Sequence, residues 1–271
     1  MTRLHRRAVL LTLVSLVAAS SAIIAQEPNL TEDQIREFLL TAKVVNYHQT
    51  GKGITSPWRL TLSDGALKHD AAFQSIDEFR PSFEKSDGTT EIGFRDSYHF
   101  DIAAYELARL VGLSDMMPVT VERKWGGRKG SLSWWLAVKM DEADRHNRKL
   151  DPPDLNAWNM QLDRMWVFSE LVYDSDRNLT NMLIGENWKL YMIDFSRAFR
   201  RPHTLENAAR LVMCDRQLLE KLRQLDEAAV MEKTKPHLNK ELVKAVMARR
   251  DLIVSYFDKK IAEKGEKAVL Y

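Results

Sequence analysis

Asp174-Ser175-Asp176-Arg177-Asn178-Leu179-Thr180-Asn181, followed after a short interval by Ile193-Asp194-Phe195-Ser196, decides how this chain is read. Between the two segments, apolar runs over 182–184 and 190–193 flank Gly185-Glu186-Asn187 and predict a β-hairpin. A hairpin returns the chain to its own start, which brings Asp194 back beside Asn181. An amide oxygen and a carboxylate converging in this way suit a hard cation such as Mg2+ or Mn2+, which completes its shell with phosphate and water. Asp176 precedes Asn181 on the same loop and is placed to orient or deprotonate an attacking hydroxyl; Asp174 and Asn178 are weaker candidates. The plain alternative is an Asp/Asn-rich turn. An apolar lead-in from Met165 to Val172, and a strand running straight into Asp194, weigh toward a site.

Outward from this stretch the chain divides in two. On its carboxyl side the pattern is helical, ending in a long helix over 240–264. On its amino side Asp154 is a cap for a helix carrying Leu155, Trp158, Leu162, Met165 and Leu171. The polar run 141–153, ending in Pro152-Pro153, reads as a linker. Before it come strands over 119–125 and 131–140 around Gly126-Gly127, a helix over 97–111 stopped by Gly112, and a charged loop over 78–93. Earlier still are strands over 43–48, 58–62 and 71–76, with turns at Gly51-Lys52-Gly53 and Asp64-Gly65. A leading helix starts at the capping-box pair Thr31 and Gln34. The expectation is an α+β protein with a sheet-rich lobe over 26–145 and a helical lobe over 146–271.

Asp176-Arg177-Asn178-x-x-Asn181 with Ile193-Asp194-Phe195 resembles the atypical kinases related to HipA toxin kinases, phosphatidylinositol 3/4-kinases and secretory-pathway protein kinases. Those families use D-R-H-x-x-N or D-R-x-x-x-N where typical protein kinases use H-R-D-x-x-x-x-N. The likeness extends over about 200 residues in element order, but its specific motifs occupy only about 20. It implies a bilobed protein-kinase-like fold that binds ATP with Mg2+ or Mn2+ and transfers phosphate to a protein or small-molecule hydroxyl. Asp176 would then be catalytic, and Asn181 and Asp194 the metal ligands.

The resemblance also implies a nucleotide pocket in the first lobe. Gly51, Lys52, Gly53 and Thr55 lie where such folds put a phosphate-covering loop, a position equally served by a plain hairpin turn. In Phe100-Asp101-Ile102-Ala103-Ala104-Tyr105, Asp101 matches the acidic member of the lysine–acid pair better than Glu106 does. The lysine itself is missing: Gln74 occupies its place, and Lys68 begins the strand on the solvent side. A neutral amide supplies no positive charge to phosphates. A pseudokinase, binding a ligand or partner protein in the same cleft without transfer, therefore stands beside the enzyme reading, as does a nonenzymatic envelope protein.

The first 25 residues read as an export signal. Arg3, Arg6 and Arg7 precede an uncharged apolar run from Ala8 to Ala25, with small residues at its end. Cleavage after Ala25 or Ala22 gives a periplasmic, extracellular or secretory-lumen protein; the alternative is an uncleaved membrane anchor, since about 18 apolar residues reach across a bilayer. The whole chain has 40 basic and 38 acidic residues. Without the three signal arginines it is near neutral, which speaks against nucleic acid as a partner. One cysteine, Cys214, allows no internal disulfide. The seven histidines show no metal-ligand spacing, and His69 and His99 read as surface or hydrogen-bonded residues.

Overall fold

The structure is a computed structural model that describes residues 30–51, 57–84 and 88–271. The signal segment, and Lys52, Gly53 and Thr55 of the glycine-containing loop, lie outside the described residues. Helix α1 (Glu32–Thr41) opens with the expected capping box: Thr31 accepts from the Gln34 N–H while the Gln34 side chain accepts from the Thr31 N–H. Phe38 and Leu39 on its inner face are buried. Strands β1 (Lys43–Gln49), β2 (Trp58–Ser63) and β3 (Lys68–Gln74) follow, then a hairpin of β4 (Asp77–Glu84) and β5 (Thr90–Ser97). Next are α2 (Tyr98–Val111), β6 (Thr120–Trp125) and β7 (Arg128–Trp134). Antiparallel pairing sets the main sheet in the order β1-β2-β3-β7-β6.

Alternation along these strands buries Leu60, Leu62, Ala71, Phe73, Leu132 and Trp134. Each large side chain so buried contributes about 1.5–3 kcal/mol relative to exposure. At Gly130 a Cβ would lie 2.3 Å from the Gln74 carbonyl oxygen, so only glycine lets β7 approach β3 this closely. Helix α2 packs beside β6 and β7. Ser97 caps its start by accepting from the His99 N–H, and Gly112, at a φ of 76°, ends it in the left-handed conformation.

The second part comprises β8 (Val138–Asp141), α3 (Glu142–Asn147), α4 (Leu155–Val172), β9 (Met182–Gly185) and β10 (Leu190–Met192). Then come α5 (Arg216–Gln224), α6 (Glu227–Thr234) and α7 (Lys240–Lys264). The expected hairpin is β9–β10, and β8 adds to it to make a three-stranded sheet of order β10-β9-β8. Arg249 of α7 is fully buried and donates to the carbonyls of Leu171, Arg200 and Pro202, tying α7 to the chain that leaves the site.

Three local expectations are corrected. The run 78–93 contains the β4–β5 hairpin instead of only a loop; a two-stranded ribbon exposed over much of its surface needs little apolar alternation, so its charge content hid it. The strand expected over 131–140 is two strands, because β7 pairs in the main sheet and β8 leaves it to pair with β9. The linker contains α3, capped by Asp141. The architecture is α+β and kinase-like, with the β-rich part first. Among the described residues no helix is long and apolar enough to cross a membrane.

Candidate active site

The loop between α4 and β9 is organised around one side chain. Arg177 is buried; its Nε donates to Asp174 Oδ2 at 2.7 Å, and both side chains are shut off from water. Its Nη1 donates to two main-chain carbonyls, those of Asn181 and Ile193, each at 2.7 Å. The Ile193 N–H in turn donates to the Asn181 carbonyl at 3.1 Å. The guanidinium lies 4.3 Å from the centre of the Phe195 ring, which is itself buried edge-on against Phe168. One arginine thus joins the loop carrying Asp176, the turn carrying Asn181 and the strand end carrying Asp194.

Asn181 closes a single turn of 3-10 helix whose start is capped by Asn178, its Oδ1 accepting from the Thr180 N–H. The Asn181 Nδ2 donates to the Asp176 carbonyl at 3.0 Å, which leaves its amide oxygen as the atom that could face a cation. Asp194 is exposed and sits at a φ of 57°, in the left-handed region that aspartate tolerates better than most residues. Its Oδ1 accepts from Ser196 Oγ at 2.9 Å.

Helix α2 is locked to this turn by two bonds. The Ser97 N–H donates to the Ser196 carbonyl at 2.9 Å, and the Phe195 N–H donates to Asp101 Oδ1 at 2.8 Å. Ser131 Oγ on β7 donates to Asp101 Oδ2 at 3.2 Å, and strand register sets Gln74 directly opposite Ser131. Gln74, Ser131, Asp101 and Phe195 therefore form a continuous path from β3 to the turn after Asp194. Gln74 Oε1 accepts from the Ser75 N–H. Lys68 lies at the exposed start of the same strand. Glu106 points elsewhere, pairing with Arg36 and Arg109.

The site is rich in carboxylates that disfavour one another. Burial holds the Asp101 carboxyl well above the usual range, with Asp194 and Asp96 adding to the effect. Burial likewise raises Asp176, reinforced by Asp194 and Asp174 and opposed by Arg197 and Asn178. Asp96 is raised by burial and by Asp194, against the Ser196 hydrogen bond. Such a set loses repulsion when a divalent cation binds, and its donors are the oxygens that Mg2+ and Mn2+ prefer. Asn181 and Asp194 are the two residues on the turn that fit this group.

Two arginines and a hairpin border the site; of these, Arg197 and the hairpin left no signal in the sequence. Arg197 Nη1 lies 3.6 Å from Asp176 Oδ2, while its Nη2 pairs with Glu91 at 3.2 Å. Arg200 pairs with the same Glu91 at 2.9 Å and contacts Ser175. Glu91 belongs to β5, so the β4–β5 hairpin is moored directly to the segment that follows Asp194.

No family model and no curated protein matches the sequence. Solved structures do match in fold. The structure of hydra Fam20 with sugar superposes with a TM-score of 0.64 at 15% identity, over 88% of this chain and 91% of that one. The Golgi casein kinase with Mn/ADP bound gives a TM-score of 0.63 at 14% identity, over 88% and 78%. A Helicobacter pylori proinflammatory kinase, CtkA, gives 0.51 at 10% identity, over 83% and 97%. The chain has the fold of atypical kinases.

Proposed function

We propose that the chain is an exported kinase-like protein that binds ATP with Mg2+ or Mn2+ in the cleft between its two lobes, residues 26–145 and 146–271, and transfers phosphate to a protein or small-molecule hydroxyl. The observation that supports this reading is the reach of Arg177 to both Asn181 and Ile193, which ties the loop of Asp176 and the turn of Asn181 to the strand end that leads into Asp194. Asn181 and Asp194 are the cation's ligands. Bound there, the cation supplies neutralisation of phosphate charge. Asp176 accepts the proton of the attacking hydroxyl as its oxygen bonds to phosphorus and ADP leaves. Its raised pKa brings the carboxylate nearer the basicity that proton transfer at neutral pH rewards. Asp101 and Gln74 line the nucleotide side, and Gly51, Lys52, Gly53 and Thr55 are the sequence's candidates for phosphate contact.

The second reading is a pseudokinase, and Gln74 favours it. Transfer relies on positioning and charge stabilisation, and the amide at this position brings hydrogen bonds without charge. The two readings separate on the purified mature chain. Enzyme and pseudokinase alike predict ATP binding that strengthens with Mg2+ or Mn2+, whereas only the enzyme predicts labelled phosphate on an acceptor. Lack of nucleotide binding under both metal conditions sinks both. Export is tested separately by amino-terminal sequencing, which should place the start near Ala22–Gln26; an unprocessed chain in soluble cytoplasm would contradict it.

A further inference from the structure

Away from the candidate active site, on the far side of α2, two histidines and a glutamate meet. His99 stands in the first turn of α2, Glu122 on β6, and His237 on the segment between α6 and α7. One ligand atom from each lies within 4.8 Å of the other two, the one such group of histidine, cysteine or acidic residues among the described residues. His99 Nδ1 faces His237 Nδ1 at 2.8 Å. Two ring nitrogens at that distance share a single proton, and a metal ion replaces that proton readily. Tetrahedral zinc holds two imidazole nitrogens at about 2.0–2.1 Å each, hence about 3.3 Å apart. The pair needs to open by only about half an ångström to accept it.

We propose that His99, Glu122 and His237 form a binding site for a divalent transition metal of the zinc type, distinct from the cation site at Asn181 and Asp194. Two imidazoles and a carboxylate are a donor set that zinc takes in open sites, with water in the fourth position. The surroundings fit that use. His99 turns its other ring nitrogen, Nε2, toward Asp77 Oδ2 at 4.0 Å, an outer carboxylate of the kind that orients metal-bound histidines. Glu122 is held by Lys129 at 2.9 Å, an exposed partner that a cation displaces at small cost. Glu122 and His237 also line an open cleft of about 430 Å3, which gives an ion a way in.

The three ligands come from α2, from the main sheet and from the helical part. An ion joining them clamps the start of α2 against the helical part. Asp101, two residues beyond His99, holds the Phe195 N–H, so the clamp steadies the path into the candidate active site without entering it.

The test is Zn2+ titration of the EDTA-stripped mature chain by calorimetry, with Co2+ substitution for its visible absorption. Wild type should bind one Zn2+ and give the intense bands of a low-coordinate Co2+ site. His237→Ala and Glu122→Gln should each weaken Zn2+ binding about tenfold or more, while melting in EDTA like wild type. Asp194→Ala should leave Zn2+ affinity unchanged. Absence of Zn2+ binding by wild type, equal affinity in wild type and His237→Ala, or loss of Zn2+ in Asp194→Ala alone would each overturn the assignment. Because Zn2+ is titrated without nucleotide, failure here is distinguishable from failure of the kinase reading.

Discussion

Arg177 and Asp174 form an ion pair closed to water, with Nε 2.7 Å from Oδ2. Removing one member strands the other. Arg177→Met leaves the Asp174 charge unpaired and two main-chain carbonyls without their donor. It should destabilise the chain by about 3–5 kcal/mol, read as a lowered midpoint in urea unfolding. Replacement of both residues by apolar side chains should cost less than Arg177→Met alone. If the single variant unfolds like wild type, the loop is not held by this pair.

Asp194 and Asp176 should fail differently. Asp194→Ala is expected to remove most of the metal dependence of ATP affinity while the fold persists, because Asp194 contributes only a short local bond to Ser196. Asp176→Ala should spare ATP affinity and lower any transfer rate by several orders of magnitude. Calorimetric titration of both variants with ATP and Mn2+ checks this. Unchanged affinity in Asp194→Ala counts against its role as ligand.

Asp101 carries a pH signature. Its folded carboxyl is raised above 3.8, chiefly by burial and then by Asp194. The folded state therefore binds that proton more tightly than the unfolded chain does. Stability from this group is complete below its unfolded pKa and is lost as pH rises through the folded value. Asp101→Asn removes the dependence, so the melting temperature of the variant relative to wild type should rise as the pH is raised above 3.8. A difference that is flat with pH, or falls, refutes the electrostatic picture.

Gln74→Lys places a charge across the strand pair from Ser131, within the path that leads to Asp101. It should tighten ATP binding about tenfold if Gln74 borders the phosphates. Lys68→Ala, at the exposed end of β3, should leave ATP binding as it was. Equal affinity in wild type and Gln74→Lys would remove this residue from the pocket.

Much of this molecule could be read in advance because its signals are local. The capping pair Thr31 and Gln34, the Gly112 stop and the β9–β10 hairpin each depend on residues a few positions apart, and the structure has all three. The main-chain approach of Ile193 to Asn181 followed from hairpin geometry for the same reason. What stayed hidden depends on distant contacts. Arg177 looked like one letter of a motif, whereas its bonds to Ile193 and Asp174 make it the centre of the loop. Glu91 lies in a run whose charge suggested only a loop, and its pairing with Arg197 and Arg200 has no sequence trace. His99 and His237 are separated by 138 positions, so no spacing rule brings them together.

The bonds that Arg177 makes to Asn181 and Ile193 end on main-chain oxygens, which every amino acid possesses. These ties are consequently independent of the side chains carried at Asn181 and Ile193. A lineage carrying this fold can exchange Asp176 or Asp194 for residues without chemistry and still inherit the same loop, since the scaffold is written in Asp174, Arg177 and the backbone. Chemistry at the site and stability of the loop are thereby separable. A fold so built can keep its cleft whether or not the residues around it do chemistry.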